Sequence, residues 1–261
     1  MISVYLDESG THSPDYTVLA GFAGKRRTWE KVVPAWKSGL GERPFLHVSS
    51  MPLIRESERE WLKRLAIIPY RHRLVPVYGA VCANDYMDMV KGTVAEVHSH
   101  GVCICIAPIV NALIEWIPSD ERIEFIFETS PLDFYIERMM MMIAKFPGIR
   151  RQDGKSRISK WSFVPKGETC LLEPSDYLAN HLYNREIDPT STRTLWTSPI
   201  AEGRTLLGGK MARDRVRNLF THLARPEFSK DIPRTAIKRY RKGIRNGSQP
   251  DPWTKRFGGK S

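Results

Sequence analysis

The opening stretch Met1-Ile2-Ser3-Val4-Tyr5-Leu6-Asp7-Glu8-Ser9-Gly10 constrains this chain more than any other. Ile2, Val4 and Leu6 alternate with Ser3 and Tyr5, the period of a half-buried strand, and the run then breaks into two adjacent carboxylates and a Ser-Gly turn. A strand buried between helix layers cannot carry ionised carboxylates along its length, because each would lose its hydration without compensation. Its last residues can instead project them into the crevice at the sheet edge, where α/β proteins do their chemistry. On that reading the strand ends where the charge begins, and Asp7 and Glu8 are candidate catalytic residues; an arbitrary Asp-Glu pair is more commonly a solvated approach to a turn.

The rest of the chain supplies a sheet and its covering helices. Tyr16 to Phe22 reads as a second strand, close enough to pair with the first as a hairpin. Trp29 to Leu40 and Glu56 to Ile67 carry apolar residues at helical spacing, and Leu74 to Ala83 is a β-branched third strand followed by a short helix opening at Asn84-Asp85. Val102 to Trp116 is apolar nearly all round and predicts a central buried helix. Arg122 to Glu128 alternates cleanly and, like the first strand, finishes on a carboxylate. Leu132 to Phe146 predicts a helix whose run Met139 to Met142 is core filler. Ile158 to Val164 is a fifth strand, and a helix opens around Pro174, with Leu178 and Leu182 as its buried stripe and Asp176 and Asn180 sharing another face. His47, alone in Phe45 to Val48, reads as a packed or solvent-facing residue. The order predicts a mixed sheet with helices on its faces, without internal repeats.

Charge divides the chain unevenly. The formal net charge is +11, and from Lys210 to Ser261 fifteen Lys and Arg stand against four Asp and Glu, so this segment alone accounts for +11 and the remainder is near neutral. The division predicts a domain over 1–202 and a basic, mainly helical C-terminal extension over 203–261. Lys210 to Leu223 reads as an amphipathic helix with Val216, Leu219, Phe220 and Leu223 inward and Lys210, Arg213 and Arg217 outward. Lys238, Arg239, Arg241 and Lys242 surround Tyr240, the interleaving of cations and aromatics that suits nucleic acid. Concentrated positive charge points to a polyanionic partner, DNA or RNA, with Lys210, Arg213, Arg217, Lys238, Arg239, Arg241 and Lys242 as the candidate phosphate contacts.

Other classes lose support. The four cysteines lack the paired spacing of zinc sites and read as reduced and structural. The chain opens directly on a strand, and its longest apolar run, Val102 to Ile117, is too short to span a bilayer. The expectation is a cytoplasmic protein with no membrane partner. There is no Gly-rich phosphate loop, paired histidine motif or nucleophile elbow to suggest a kinase, zinc hydrolase or esterase.

Three carboxylate positions remain: Asp7-Glu8 after the first strand, Glu128 after another, and Glu173 with Asp176 in the first turn of a late helix. Two strand ends and one helix start can converge in one crevice. Clustered carboxylate oxygens bind hard cations such as Mg²⁺ or Mn²⁺, and two such ions can activate water and stabilise the leaving oxygen of a phosphodiester.

Tyr5-Leu6-Asp7-Glu8-Ser9-Gly10, Leu46-His47-Val48, Phe127-Glu128 and the stretch from Leu172 to Ala179 resemble the bacterial and phage domain-of-unknown-function family numbered thirty-eight hundred. The resemblance spans residues 1–185 and implies a ribonuclease-H-like α/β fold, a mixed sheet with helices on both faces. It also implies Asp7, Glu8, Glu128 and Asp176 as metal ligands. Glu173 stands where that family has glutamine, adding an acid that could join the ligands, and Glu128 stands where the ribonuclease-H-like pattern has aspartate. The expected function is a divalent-metal-dependent nuclease. The alternative is a nucleic-acid-binding or regulatory protein on the same fold with a degenerate site, and a third class uses the basic tail on a membrane surface or a protein partner.

Overall fold

The computed structural model describes residues 1–11, 15–48, 56–90, 100–187, 206–212 and 214. Six strands form one mixed sheet: β1 (Ile2–Ser9), β2 (Tyr16–Lys25), β3 (Val75–Cys82), β4 (Ile123–Glu128), β5 (Ile158–Val164) and β6 (Leu207–Lys210), in the order β5-β4-β1-β2-β3-β6. The hairpin expected at the start is present. β1 pairs antiparallel with β2, and β2 antiparallel with β3, while β4 runs parallel to β1 and β5 parallel to β4. The first three strands run antiparallel and β4 and β5 run parallel to β1, which makes the mixed sheet that the sequence predicts.

Helices cover both faces. On one face lie α4 (Gly101–Trp116) and α5 (Asp133–Ile143); on the other lie α1 (Arg26–Leu40), α2 (Glu56–Arg71) and α6 (Glu173–Ile187). The short α3 (Ala83–Val90) follows β3 directly. Strand alternation sorts the residues between two cores. Ile2, Val4 and Leu6 of β1 join Ile123, Phe125 and Phe127 of β4 and the apolar α4 in one core, which also takes Met139 and Met140. Val18, Ala20 and Phe22 of β2 meet Trp29, Trp36, Leu62, Leu65, Leu178 and Leu182 in the other. Cys103 and Cys105 are buried in the first core, where loss of solvent pushes the Cys103 thiol up to about 12 and that of Cys105 higher still. All four cysteines are free thiols.

Two close approaches set the distance between sheet and helices. Gly79 lets β3 press on the backbone of α4, since a Cβ there would collide with the Cys105 carbonyl. On the other side a Cβ at Gly21 would collide with the Tyr5 carbonyl and crowd Ser175 Oγ at 2.8 Å. The C-terminal end of α4 is closed by the buried Arg157, whose guanidinium donates to the carbonyls of Ile114, Ile117 and Pro118 at 2.9, 2.7 and 2.8 Å. A cation at this end also complements the helix dipole.

Two expectations are corrected. β1 does not stop before its carboxylates but continues through them to Ser9, because Asp7, Glu8 and Ser9 still pair with Ala20, Leu19 and Val18. Lys210 does not open a helix. It ends β6, which lies parallel to β3, and the ladder is extended when Met211 N–H donates to the Ala80 carbonyl at 2.8 Å. The remainder of the amphipathic pattern expected to Leu223, apart from 211, 212 and 214, lies outside the described residues. Among the described residues no helix is long and apolar enough to cross a membrane.

Candidate active site

The site forms where β1 and β4 end beside the start of α6. Leu6 pairs with Phe127, so Asp7 and Glu128 each stand one residue further along neighbouring parallel strands. Alternation puts Asp7 on the same face as Tyr5, the face covered by α6, and that helix delivers Asp176 from its first turn. The helix start is well placed for this charge, since its unpaired N–H groups and dipole favour an anion. Asp7 is 5 % exposed and Asp176 8 %, so both carboxyls are held largely out of water.

Each acid has one oxygen committed to the protein. Asp7 Oδ1 accepts the Glu8 N–H at 2.8 Å. Asp176 Oδ2 accepts the Val48 N–H at 2.9 Å and faces His47 Nδ1 at 3.3 Å. His47, read from sequence as a bystander, therefore borders the site.

Glu8 points to the opposite face, as regular strand geometry requires. It meets Ser130 and the neighbourhood of Asp133 at the start of α5, and its Oε2 is fully enclosed with no hydrogen-bond partner among the described residues. Burial raises its carboxyl to about 7, with the hydrogen bond to Ser130 opposing and the charges of Glu128 and Asp133 adding. Asp7 is pushed well above the usual carboxylate range, first by burial and then by the charges of Glu8, Asp176 and Glu128. The four acids are thus close enough to act on one another through a medium of low polarity.

Sequence reasoning missed the cation that answers them. Lys166 lies two residues past β5, in a tight turn closed by Glu168 N–H donating to the Pro165 carbonyl at 3.1 Å, with Gly167 at φ 83°. Val164 pairs with Glu128, and Thr129 N–H donates to its carbonyl at 2.9 Å, so the turn is held beside the acidic strand end. Lys166 Nζ reaches Glu128 Oε1 at 3.1 Å. Burial alone would lower its basicity, but the bond to Glu128 and the charges of Asp176, Glu128 and Asp7 outweigh that and raise it.

Glu173 is engaged elsewhere. Its Oε2 accepts both Trp36 Nε1–H and the Leu46 N–H at 2.9 Å, tying α6 to α1 and to the segment that carries His47. Burial raises its carboxyl, and those two donors oppose the rise. Of the candidate phosphate contacts, Lys210 is described: its Nζ donates to Tyr16 Oη at 2.7 Å, pairs with Glu186 at 3.2 Å and lies over the Tyr16 ring. Arg213, Arg217, Lys238, Arg239, Arg241 and Lys242 lie outside the described residues.

An all-oxygen donor set of carboxylates suits a hard divalent cation, and clustered charge of one sign calls for a counter-charge. Among the described residues, however, no three His, Cys, Asp or Glu side chains already stand in a coordination arrangement.

Fold and site together define a mixed α/β domain with a cluster of acids where β1, β4 and α6 meet. No family model matches the chain, and no curated protein matches it. Among solved structures it is similar to a chain in the structure of the PCNA:RNase HII complex from Archaeoglobus fulgidus, with a TM-score of 0.37 and 16 % identity, covering 78 % of this chain and 91 % of that one.

Proposed function

We propose that the chain is a divalent-metal-dependent nuclease of the family it resembles, hydrolysing phosphodiester bonds where β1, β4 and α6 meet. The observation that carries the reading is the convergence of Asp7, Glu128 and Asp176 from three separate elements, with Asp7 buried among like charges. Asp7, Glu128 and Asp176 would hold Mg²⁺ or Mn²⁺, and Glu8, on the other face, adds negative charge beside them. Cations held there supply an activated water and stabilise the leaving oxygen. The chain itself orients the acids: the Glu8 N–H fixes Asp7, the Val48 N–H fixes Asp176, and Ser175 Oγ anchors α6 to β1 between them. The basic segment from Lys210 to Ser261 supplies the electrostatic attraction for nucleic acid.

The test is cleavage of single- and double-stranded DNA, RNA and hybrid substrates with Mg²⁺ or Mn²⁺, comparing wild type with Asp7→Asn and Asp176→Asn. Metal-dependent cleavage lost in both variants, with unchanged circular dichroism, is the expected result. A second reading, a nucleic-acid-binding protein with a degenerate site, is favoured by the pairing of Glu128 with Lys166 and by the lack of a formed coordination group among the described residues. It predicts salt-dependent binding with no cleavage under any of these conditions.

A further inference from the structure

We propose that Lys166 is the built-in counter-ion of the acidic cluster, paired with Glu128 in the metal-free protein and giving way when a divalent cation enters. The inference rests on the metal reading of the site. The position of Lys166 is constructed. The strand register sets Val164 beside Glu128, and the Pro165–Glu168 turn, with Gly167 in a conformation that L side chains rarely adopt, carries the ammonium back over the strand ends. Nζ stands 3.1 Å from Glu128 Oε1 and within electrostatic reach of Asp7, Asp176 and Glu8. Asp133, beyond Glu8, adds a further negative charge on that side.

Two features make this a replaceable cation and not a fixed strut. The Lys166 side chain is 41 % exposed, so it can swing to water without opening the fold, whereas the Glu128 side chain it pairs with is 15 % exposed and cannot follow it. An ammonium is also a flexible, strongly hydrated point charge, easily traded for a divalent ion that satisfies several carboxylates at once. The residue thus limits the repulsion among the acids when no metal is bound, and the same ammonium competes with metal for Glu128.

The test uses the full chain, stripped with chelator and free of nucleic acid, titrated with Mn²⁺ by calorimetry for wild type, Lys166→Met and Lys166→Arg. Melting temperatures are recorded with and without Mn²⁺. Removing a competing unit charge beside the site is expected to tighten Mn²⁺ binding about tenfold in Lys166→Met, while Lys166→Arg stays within about twofold of wild type. Without metal, Lys166→Met should melt below wild type, and saturating Mn²⁺ should raise it by more degrees than it raises wild type. Binding by Lys166→Met alone, with none by wild type, also supports the inference. Equal or weaker Mn²⁺ affinity in Lys166→Met beside a wild type that binds overturns it while leaving the metal reading intact. Absence of binding in all three proteins overturns both.

Discussion

Ser175 Oγ donates to the Tyr5 carbonyl at 2.9 Å, joining α6 to β1 one residue before Asp176 and two before Asp7. The bond lies beside Gly21, where a Cβ would crowd Ser175 Oγ at 2.8 Å. Two acids far apart in sequence are therefore aligned by a contact between neither of them. Gly21→Ala should cost about 2–3 kcal/mol by overpacking this approach, and Ser175→Ala about 1 kcal/mol for the lost hydrogen bond. Chemical denaturation of both variants checks the order. If Gly21→Ala is as stable as wild type, the contact does not set the spacing.

Glu173 separates structural from chemical acids. Its Oε2 serves two buried donors, so Glu173→Gln, which keeps an acceptor, should fold and retain any metal dependence. Glu173→Ala leaves Trp36 Nε1–H and the Leu46 N–H unpaired and should lose about 2–3 kcal/mol. Asp176→Asn is the contrasting case, with little change in stability but loss of metal binding. Urea melts and Mn²⁺ titrations of the three variants distinguish the roles; a Glu173→Gln protein that no longer binds metal would return Glu173 to the ligand set.

Much of this was legible in the sequence, and the exceptions have physical causes. The strand expected over Ile158–Val164 has those bounds in the structure, and the apolar Gly101–Trp116 helix was visible within one residue at its start. The opposite orientation of Asp7 and Glu8 follows from strand period alone. β6 was invisible because Leu207-Gly208-Gly209-Lys210 has no β-branched residue; the edge of β3 recruits it, and Gly208, at φ 106°, fits where a Cβ would collide with the Tyr78 carbonyl. Lys166 could not be singled out, because a lysine beyond a strand end becomes informative only when the register places Glu128 beside it. Glu173 looked like Asp176 in sequence, and only the position of Trp36 tells them apart.

His181 should make the protein sensitive to acid. It is 6 % exposed in α6, its Nδ1 has no hydrogen-bond partner among the described residues, and burial, helped by Arg185, lowers its pKa to about 4. Above pH 6.5 it is neutral whether the chain is folded or not. As pH falls below that value the unfolded chain takes a proton that the folded chain refuses, so stability declines until about pH 4, by at most about 3 kcal/mol. His181→Leu should flatten this part of the stability profile. Unfolding free energies from pH 7 to 4 measure it, and identical slopes for the two proteins would refute the assignment.

Asp7 should act with the opposite sign. Its folded pKa lies well above the usual carboxylate range, burial being the main cause and the charges of Glu8, Asp176 and Glu128 adding to it. In the metal-free protein the folded state therefore holds a proton at pH values where the unfolded chain has already released it. Stability from this group is present at low pH and is lost as pH rises through the window between the ordinary aspartate value and the raised one. Asp7→Asn removes the ionisation but keeps an oxygen to accept the Glu8 N–H, so in chelator at pH 8 the variant should melt several degrees above wild type. The gap should close as pH falls toward 4, where wild-type Asp7 is itself neutral. Added Mn²⁺ should reverse the order at pH 8, because ligand binding stabilises the state that binds it and the variant has lost a ligand. A variant that melts below wild type in chelator at every pH would mean that Asp7 supports the fold through contacts rather than straining it through charge.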